Sequence, residues 1–196
     1  MKIGIDLDEV IVDFMDALLK FYYEKTGRLH KKEEFLENKW WPVWGITREE
    51  AIKITDEFHE THILAEVKPI KNAVKHIQEL LTKEDELFVI TARPSRFQKK
   101  AEEWINHHLE TNKIKVFPAG DFYKGQAANK AEICNEQGIK IMLEDSGDTA
   151  LECADSGIKV LLFDQPWNKD IHHENIVRVN GWEEAGEEIN KLKKII

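Results

Sequence analysis

Two aspartates two residues apart, Asp6 and Asp8, stand where an opening apolar run ends in the stretch IDLDEV, Ile5 to Val10. Carboxylates at this spacing can do several kinds of work. One can attack phosphorus, since an aspartate carboxylate is a competent nucleophile. The other can protonate a leaving oxygen and then activate water. Both belong to the hard oxygen ligands that Mg²⁺ prefers. Yet acid, apolar residue, acid is also the composition of a solvated turn. Its meaning depends on what else reaches the same place.

Three other stretches carry chemistry that fits the first reading. VITARP, Val89 to Pro94, ends an apolar run with the Thr91 hydroxyl and the Arg93 guanidinium. MLEDSGD, Met142 to Asp148, ends another with the neighbouring acids Glu144 and Asp145. Lys130 falls in the expected first turn of a helix, where the macrodipole disfavours a cation. A lysine set against that preference is suited to meet an anion. Lys124, in FYKGQ, competes with Lys130 for this role. Arg93 suits either substrate phosphate or the loop that follows its strand.

The elements that would position these groups are legible as alternating short apolar runs and amphipathic segments. Strands are expected at Lys2 to Leu7, Leu87 to Thr91, Ile114 to Phe117, Ile139 to Leu143 and Lys159 to Phe163, with Ile176 to Val179 at one edge. Helices are expected at Ser95 to Glu110, Asn129 to Gln137, Asp148 to Ser156 and Trp182 to Ile196. Asn129 offers an N-cap and Gly138 a stop. Strands alternating with helices imply an α/β fold, a Rossmann-like parallel sheet with helices on both faces. Ligands of such sheets gather at the carboxyl ends of the strands, where all of these polar groups fall.

One interval breaks the rhythm. From Phe14 to Pro69 only helix-compatible segments occur, Met15 to Lys25 and Arg48 to His62, the second opened by a Thr47–Glu50 capping box. A turn-rich piece, NKWWPVWG, separates them. The expected organisation is a core of residues 1–13 and 70–196, with residues 14–69 as a small helical cap inserted after the first strand. Trp40, Trp41 and Trp44 could give that cap a stacking wall for a flat ring, or simply a core to bury. FHETH, Phe58 to His62, is one residue short of a zinc-protease pattern, and a zinc site is not expected there.

Bulk properties narrow the partners. The chain has 196 residues, a formal net charge of −9 and 33% charged residues. An acidic surface disfavours nucleic-acid polymers and anionic membranes. It leaves room for a small anion in a local basic pocket. No apolar run reaches spanning length. The opening strand leaves no room for a signal peptide, and two cysteines in helix-like surroundings suit reduced thiols, so a cytoplasmic protein is expected.

The four stretches, in this order, resemble the motifs of the haloacid-dehalogenase-like phosphohydrolases. IDLDEV matches the D-x-D motif, with Glu9 where many members carry glycine, and no chemical role is assigned to it. VITARP resembles the second motif, Lys130 the third-motif lysine, and LEDS the fourth in an E-D form. The insertion after the first motif matches a usual cap position of that family. An opening that continues through Val12, Asp13 and Phe14 is similar to the 5′(3′)-deoxyribonucleotidases and their bacterial relatives.

The resemblance implies roles for these residues. Asp6 would be the nucleophile that forms a phosphoaspartate. Asp8 would be the general acid and base, with its backbone carbonyl on the metal. Asp145 would complete the protein ligands to Mg²⁺, with Glu144 behind it or in its place. Thr91 and Lys130 would hold phosphate; Arg93, read from its place after the strand and not from the resemblance, could join them, hold the loop or form a surface salt bridge. The implied substrate is a small phosphate ester, most plausibly a nucleoside (deoxy)monophosphate. A sugar phosphate or phosphoamino acid keeps the same chemistry, and a non-catalytic phospho-ligand binder is the reading from another class. Oligomeric state stays open.

Overall fold

In the computed structural model, residues 1–121, 126–127 and 129–196 are described. The chain runs through β1 (Lys2–Ile5), α1 (Phe14–Thr26), α2 (Trp41–Trp44), α3 (Arg48–Glu60), α4 (Ile63–Glu66) and α5 (Ala73–Thr82). It continues through β2 (Glu86–Thr91), α6 (Gln98–His108), β3 (Lys115–Pro118) and a short antiparallel pair, β4 (Gly120–Asp121) and β5 (Gln126–Ala127). The last third holds α7 (Lys130–Gln137), β6 (Ile141–Glu144), α8 (Gly147–Asp155), β7 (Lys159–Phe163), β8 (Ile176–Val179) and α9 (Trp182–Leu192).

Six strands form one parallel sheet in the order β3-β2-β1-β6-β7-β8. Near-continuous apolar runs such as IMLE and KVLLF suit strands covered on both faces. β1 lies in the middle, with Ile3 opposite Leu87 on one side and Ile141 on the other. From β1 the chain builds outward through β2 and β3, then returns to β6 and builds the other way. The connections that follow β1 and β6 therefore part from each other, and the carboxyl ends of these two strands flank a crevice. Asp6 is fixed at its rim, because its amide donates to the Leu143 carbonyl at 2.8 Å and extends the ladder by one residue.

Two apolar clusters sandwich the sheet. One joins Ile3, Ile5 and Leu143 to Ile77, Trp104 and Trp182, and runs on into the inserted helices through Phe14, Tyr22, Trp44 and Phe58. The other packs Ala131, Cys134, Ala150 and Cys153 of α7 and α8 against Phe88, Met142 and Val160. Both cysteines are buried free thiols there. Among the described residues no helix is long and apolar enough to cross a membrane.

Local signals place the helices that matter most. Thr47 and Glu50 form the expected capping box at the start of α3. Asn129 accepts from the Ala131 amide at 2.7 Å and so opens α7 at Lys130. Gly138 ends that helix in the left-handed region, at φ 70°. Several elements differ from the sequence reading, among them the β4–β5 pair and two helices. NKWWPVWG contains the short helix α2, which tolerates Pro42 in its first turn and stops at Gly45, φ 65°. The segment between Pro69 and β2, unassigned from sequence, holds α5, whose Ala73, Ile77 and Leu80 make a buried stripe over less than three turns.

Candidate active site

The crevice gathers three carboxylates around one ammonium. Lys130 Nζ donates to Asp6 Oδ1 at 2.6 Å and to Glu144 Oε2 at 2.9 Å. Carboxylate oxygens of Asp6, Glu144 and Asp145 all lie within 4.8 Å of one another. All four side chains are buried. Burial pushes the Asp6 carboxyl up, against the pull of Lys130. It pushes Asp145 well above the usual carboxylate range, with Glu144 and Asp6 adding repulsion. Burial works against the charge on Lys130 as well, but Asp6 and Glu144 outweigh it and hold the ammonium above the ordinary lysine range. Three buried acids beside one ammonium, with carboxylate oxygens this close, repel one another when ionised and offer hard oxygen donors, so these residues fit a divalent cation such as Mg²⁺.

The two acids after β6 are held differently. Glu144 Oε1 accepts from the amides of Asp145 and Ser146, at 3.1 and 3.0 Å, while Oε2 takes Lys130. Asp145 Oδ2 accepts the Trp167 indole N–H at 3.0 Å, and its backbone carbonyl accepts from Asn168 Nδ2 at 2.7 Å. Trp167 and Asn168 lie in a 3₁₀ turn after β7, Pro166–Asn168, that no sequence pattern singled out.

Asp8 stands at the mouth, a quarter exposed, and takes a fork from Arg93. Nε donates to Oδ2 at 2.9 Å and Nη2 to Oδ1. Arg93, expected at phosphate, is thus engaged with an acid in this structure and is itself buried. Thr91 ends β2, and its hydroxyl oxygen accepts from the Arg93 amide at 3.1 Å. Lys124 lies outside the described residues.

Glu9 is structural glue. Its backbone sits in the left-handed region at φ 62°, which glycine adopts without cost. Its side chain accepts from the Met15 amide at 2.6 Å and pairs with Lys32, joining the motif turn to the inserted segment. Lys32 also lies over the Trp167 ring, 5.4 Å from its centroid.

A cavity opens from the carboxylates toward the inserted helices. Asp6, Asp8, Glu9, Ala92, Arg93, Lys130, Glu144 and Asp145 line the sheet side; Phe14, Met15, Trp40, Thr55, Asp56 and His59 line the other. Of the three tryptophans expected at a substrate wall, only Trp40 is there. Trp44 instead stacks on Tyr22, centroids 4.1 Å apart and 9° from parallel, inside the cap core. Trp41 is half-buried with Arg48 over its ring. The turn of α2 points the three rings in different directions, which sequence spacing alone did not resolve. His59 joins Trp40 there as the unforeseen wall residue.

Several solved structures share this fold. A predicted phosphatase from Clostridium acetobutylicum superposes with a TM-score of 0.69 at 15% identity, covering 97% of this chain and 98% of that one. A HAD-hydrolase from Bacillus subtilis, described as bound to magnesium, gives 0.62 at 16% identity, with 96% and 98% covered. At these identities the likeness speaks for the fold alone. A narrower match follows from the sequence itself. The family model described as "5' nucleotidase, deoxy (Pyrimidine), cytosolic type C protein" matches residues 1–195, and the chain belongs to that family of phosphoric monoester hydrolases. Similar curated proteins include one named "Putative nucleotidase" in Halalkalibacterium halodurans, 28% identical over 94% of this chain and 90% of its own length. Another is a nucleotidase of Clostridium acetobutylicum, 24% identical over 98% and 95%.

Proposed function

We propose that this protein is a Mg²⁺-dependent phosphomonoesterase that hydrolyses a nucleoside (deoxy)monophosphate through a phosphoaspartate on Asp6. The observation that carries the reading is the buried group of Asp6, Glu144 and Asp145 around Lys130, opening into a cavity with an aromatic far wall. The nucleotidase family match supports the substrate class.

Asp6, Asp145 and the Asp8 backbone carbonyl would hold the metal. Glu144 engages both oxygens with protein donors, which supports Asp145 as the direct ligand. Bound Mg²⁺ supplies charge that lets an anionic phosphoryl group approach an anionic nucleophile. In the first step an Asp6 oxygen bonds to phosphorus, the ester P–O bond breaks, and Asp8 gives its proton to the leaving oxygen. In the second, Asp8 takes a proton from water as the water oxygen bonds to phosphorus. The P–O bond to Asp6 then breaks, phosphate leaves and the carboxylate is restored. Thr91 and Lys130 hold phosphoryl oxygens and offset the charge that grows on them. Arg93 aims Asp8 into the cavity. As a phosphoryl dianion arrives, that fork must yield a bond for Asp8 to hand over its proton, which would bring Arg93 to phosphate.

The test is phosphate release from an aryl phosphate and from a panel of nucleoside monophosphates, sugar phosphates and phosphoamino acids, with Mg²⁺ or with a chelator. Release should need the metal, favour nucleotides and drop about 10³-fold or more in Asp6→Asn. Full activity in that variant would sink the nucleophile assignment. Faster turnover of sugar phosphates would sink the substrate class.

A further inference from the structure

At the far wall of the cavity one buried group has no partner. His59, in the last turn of α3, is 4% exposed, and its Nδ1 lies 2.7 Å from the Thr55 carbonyl oxygen. A carbonyl can only accept, so Nδ1 carries the proton and Nε2 is left as a lone-pair acceptor. Nε2 is buried without a hydrogen bond among the described residues. The ring cannot easily turn to relieve this, because it stacks on Phe97, centroids 4.8 Å apart and 12° from parallel, and packs beside Phe14 at 5.4 Å. Burial, and after it the Arg93 charge, push the imidazole down to about 4, so the lone pair is not lost to a proton at neutral pH.

The same stretch of α3 offers more acceptors to the cavity. Thr55 donates its hydroxyl hydrogen to the Ala51 carbonyl at 2.9 Å, which leaves oxygen lone pairs. Asp56 brings a carboxylate that pairs with Arg96. Phe14 and Trp40 line the cavity beside them. A wall of aromatic residues edged by acceptors suits a flat ring that carries a hydrogen-bond donor.

We propose that His59 Nε2 accepts a hydrogen bond from an N–H on the nucleobase of the substrate, making His59 the residue that selects leaving groups bearing a donor. The inference rests on the nucleotidase reading and sharpens it. Every nucleobase presents an N–H on its pairing edge, as an imide, an amidine-type ring N–H or an exocyclic amine. Such a contact therefore separates nucleotides from phosphate esters without a donor, more than one base from another. A buried acceptor left unsatisfied costs about 1–3 kcal/mol, so supplying its donor has a measurable effect.

The experiment uses matched pairs that differ by one methyl group: uridine 5′-monophosphate against its N3-methyl form, and guanosine 5′-monophosphate against its N1-methyl form. In the unaltered protein, kcat/KM should fall about tenfold on methylation in whichever pair is turned over. In His59→Leu the ratio should shrink toward one. In His59→Gln, whose amide oxygen can reach a similar place, it should be largely kept. Equal turnover of methylated and unmethylated substrate by the unaltered protein overturns the inference without any variant. So does a ratio that survives in His59→Leu. Hydrolysis of an aryl phosphate with no nucleotide turned over would mean that the substrate reading fails instead. No hydrolysis of either would mean that the phosphatase reading of the site fails.

Discussion

The sheet edge and the cap wall enclose one cavity and are built on opposite terms. At the edge, charged groups meet, Lys130 with Asp6 and Glu144 and Arg93 with Asp8, and the neutral Trp167 indole donates to Asp145. The wall across from it is aromatic residues and acceptors, and the His59 ring keeps one nitrogen unmatched. A fixed array of charges does its work by not having to reorganise when charge moves. A wall that leaves a hydrogen-bond acceptor open does its work only when the right ligand closes it. The charges of the edge are thus matched within the protein itself, and the acceptor of the wall is not.

That contrast can be broken by substitution. Its largest expected effect lies at the edge. Lys130→Met should lower kcat about 10²- to 10³-fold, because the variant loses a preorganised cation beside Asp6, the proposed nucleophile. A loss under tenfold in a folded variant would show that the edge does not depend on this pairing. Next comes the cap core: Trp44→Ala removes a buried ring stacked on Tyr22 and should cost about 3–5 kcal/mol in chemical denaturation.

Acid should act on the wall through His59. Its folded-state value, near 4, is below the ordinary value of 6.5, so the unfolded chain binds the proton first as pH falls. Stability that is fully present above pH 6.5 should therefore drain away between about 6.5 and 4, on the order of 3 kcal/mol from this group. His59→Leu should flatten that part of the pH profile, and an unchanged slope would assign the loss elsewhere. The smallest effect separates two neighbours. Trp40→Ala should raise KM for a nucleoside monophosphate about tenfold if a base stacks there. Trp41→Ala, away from the cavity, should shift it by less than about twofold.

The edge was readable in sequence for a physical reason. A parallel sheet delivers its strand ends to one side, so the acids after β1 and at the end of β6 and the hydroxyl of β2 fall on one edge, and Lys130 joins them from the first turn of α7. Asp6, Lys130, Glu144 and Asp145 do meet there. The strands were legible because buried runs such as LFVIT have few other uses. The wall was not readable, since its members are fixed by packing. Trp40 and Trp44 differ little in local sequence, yet one faces the cavity and the other the cap core. His59 drew attention only through a motif it does not complete. Its place depends on Phe97, from a different part of the chain. Trp167 sits in a turn without periodicity, and Glu9 reveals its tie to Lys32 only once the turn adopts positive φ. The helix α5 escaped because so short a stripe carries little periodic signal.

The central position of β1 also orders events in time. Lys130 and Asp6 are 124 residues apart in the chain, and Asp145 follows later still. A polypeptide leaving the ribosome presents its acidic turn first and must wait for β6 to dock beside β1 before that turn acquires its lysine and its second acid. Contacts of such separation are slow to form. No N-terminal fragment that stops short of β6 can then carry the assembled centre, and activity should appear on refolding only with the last central strand.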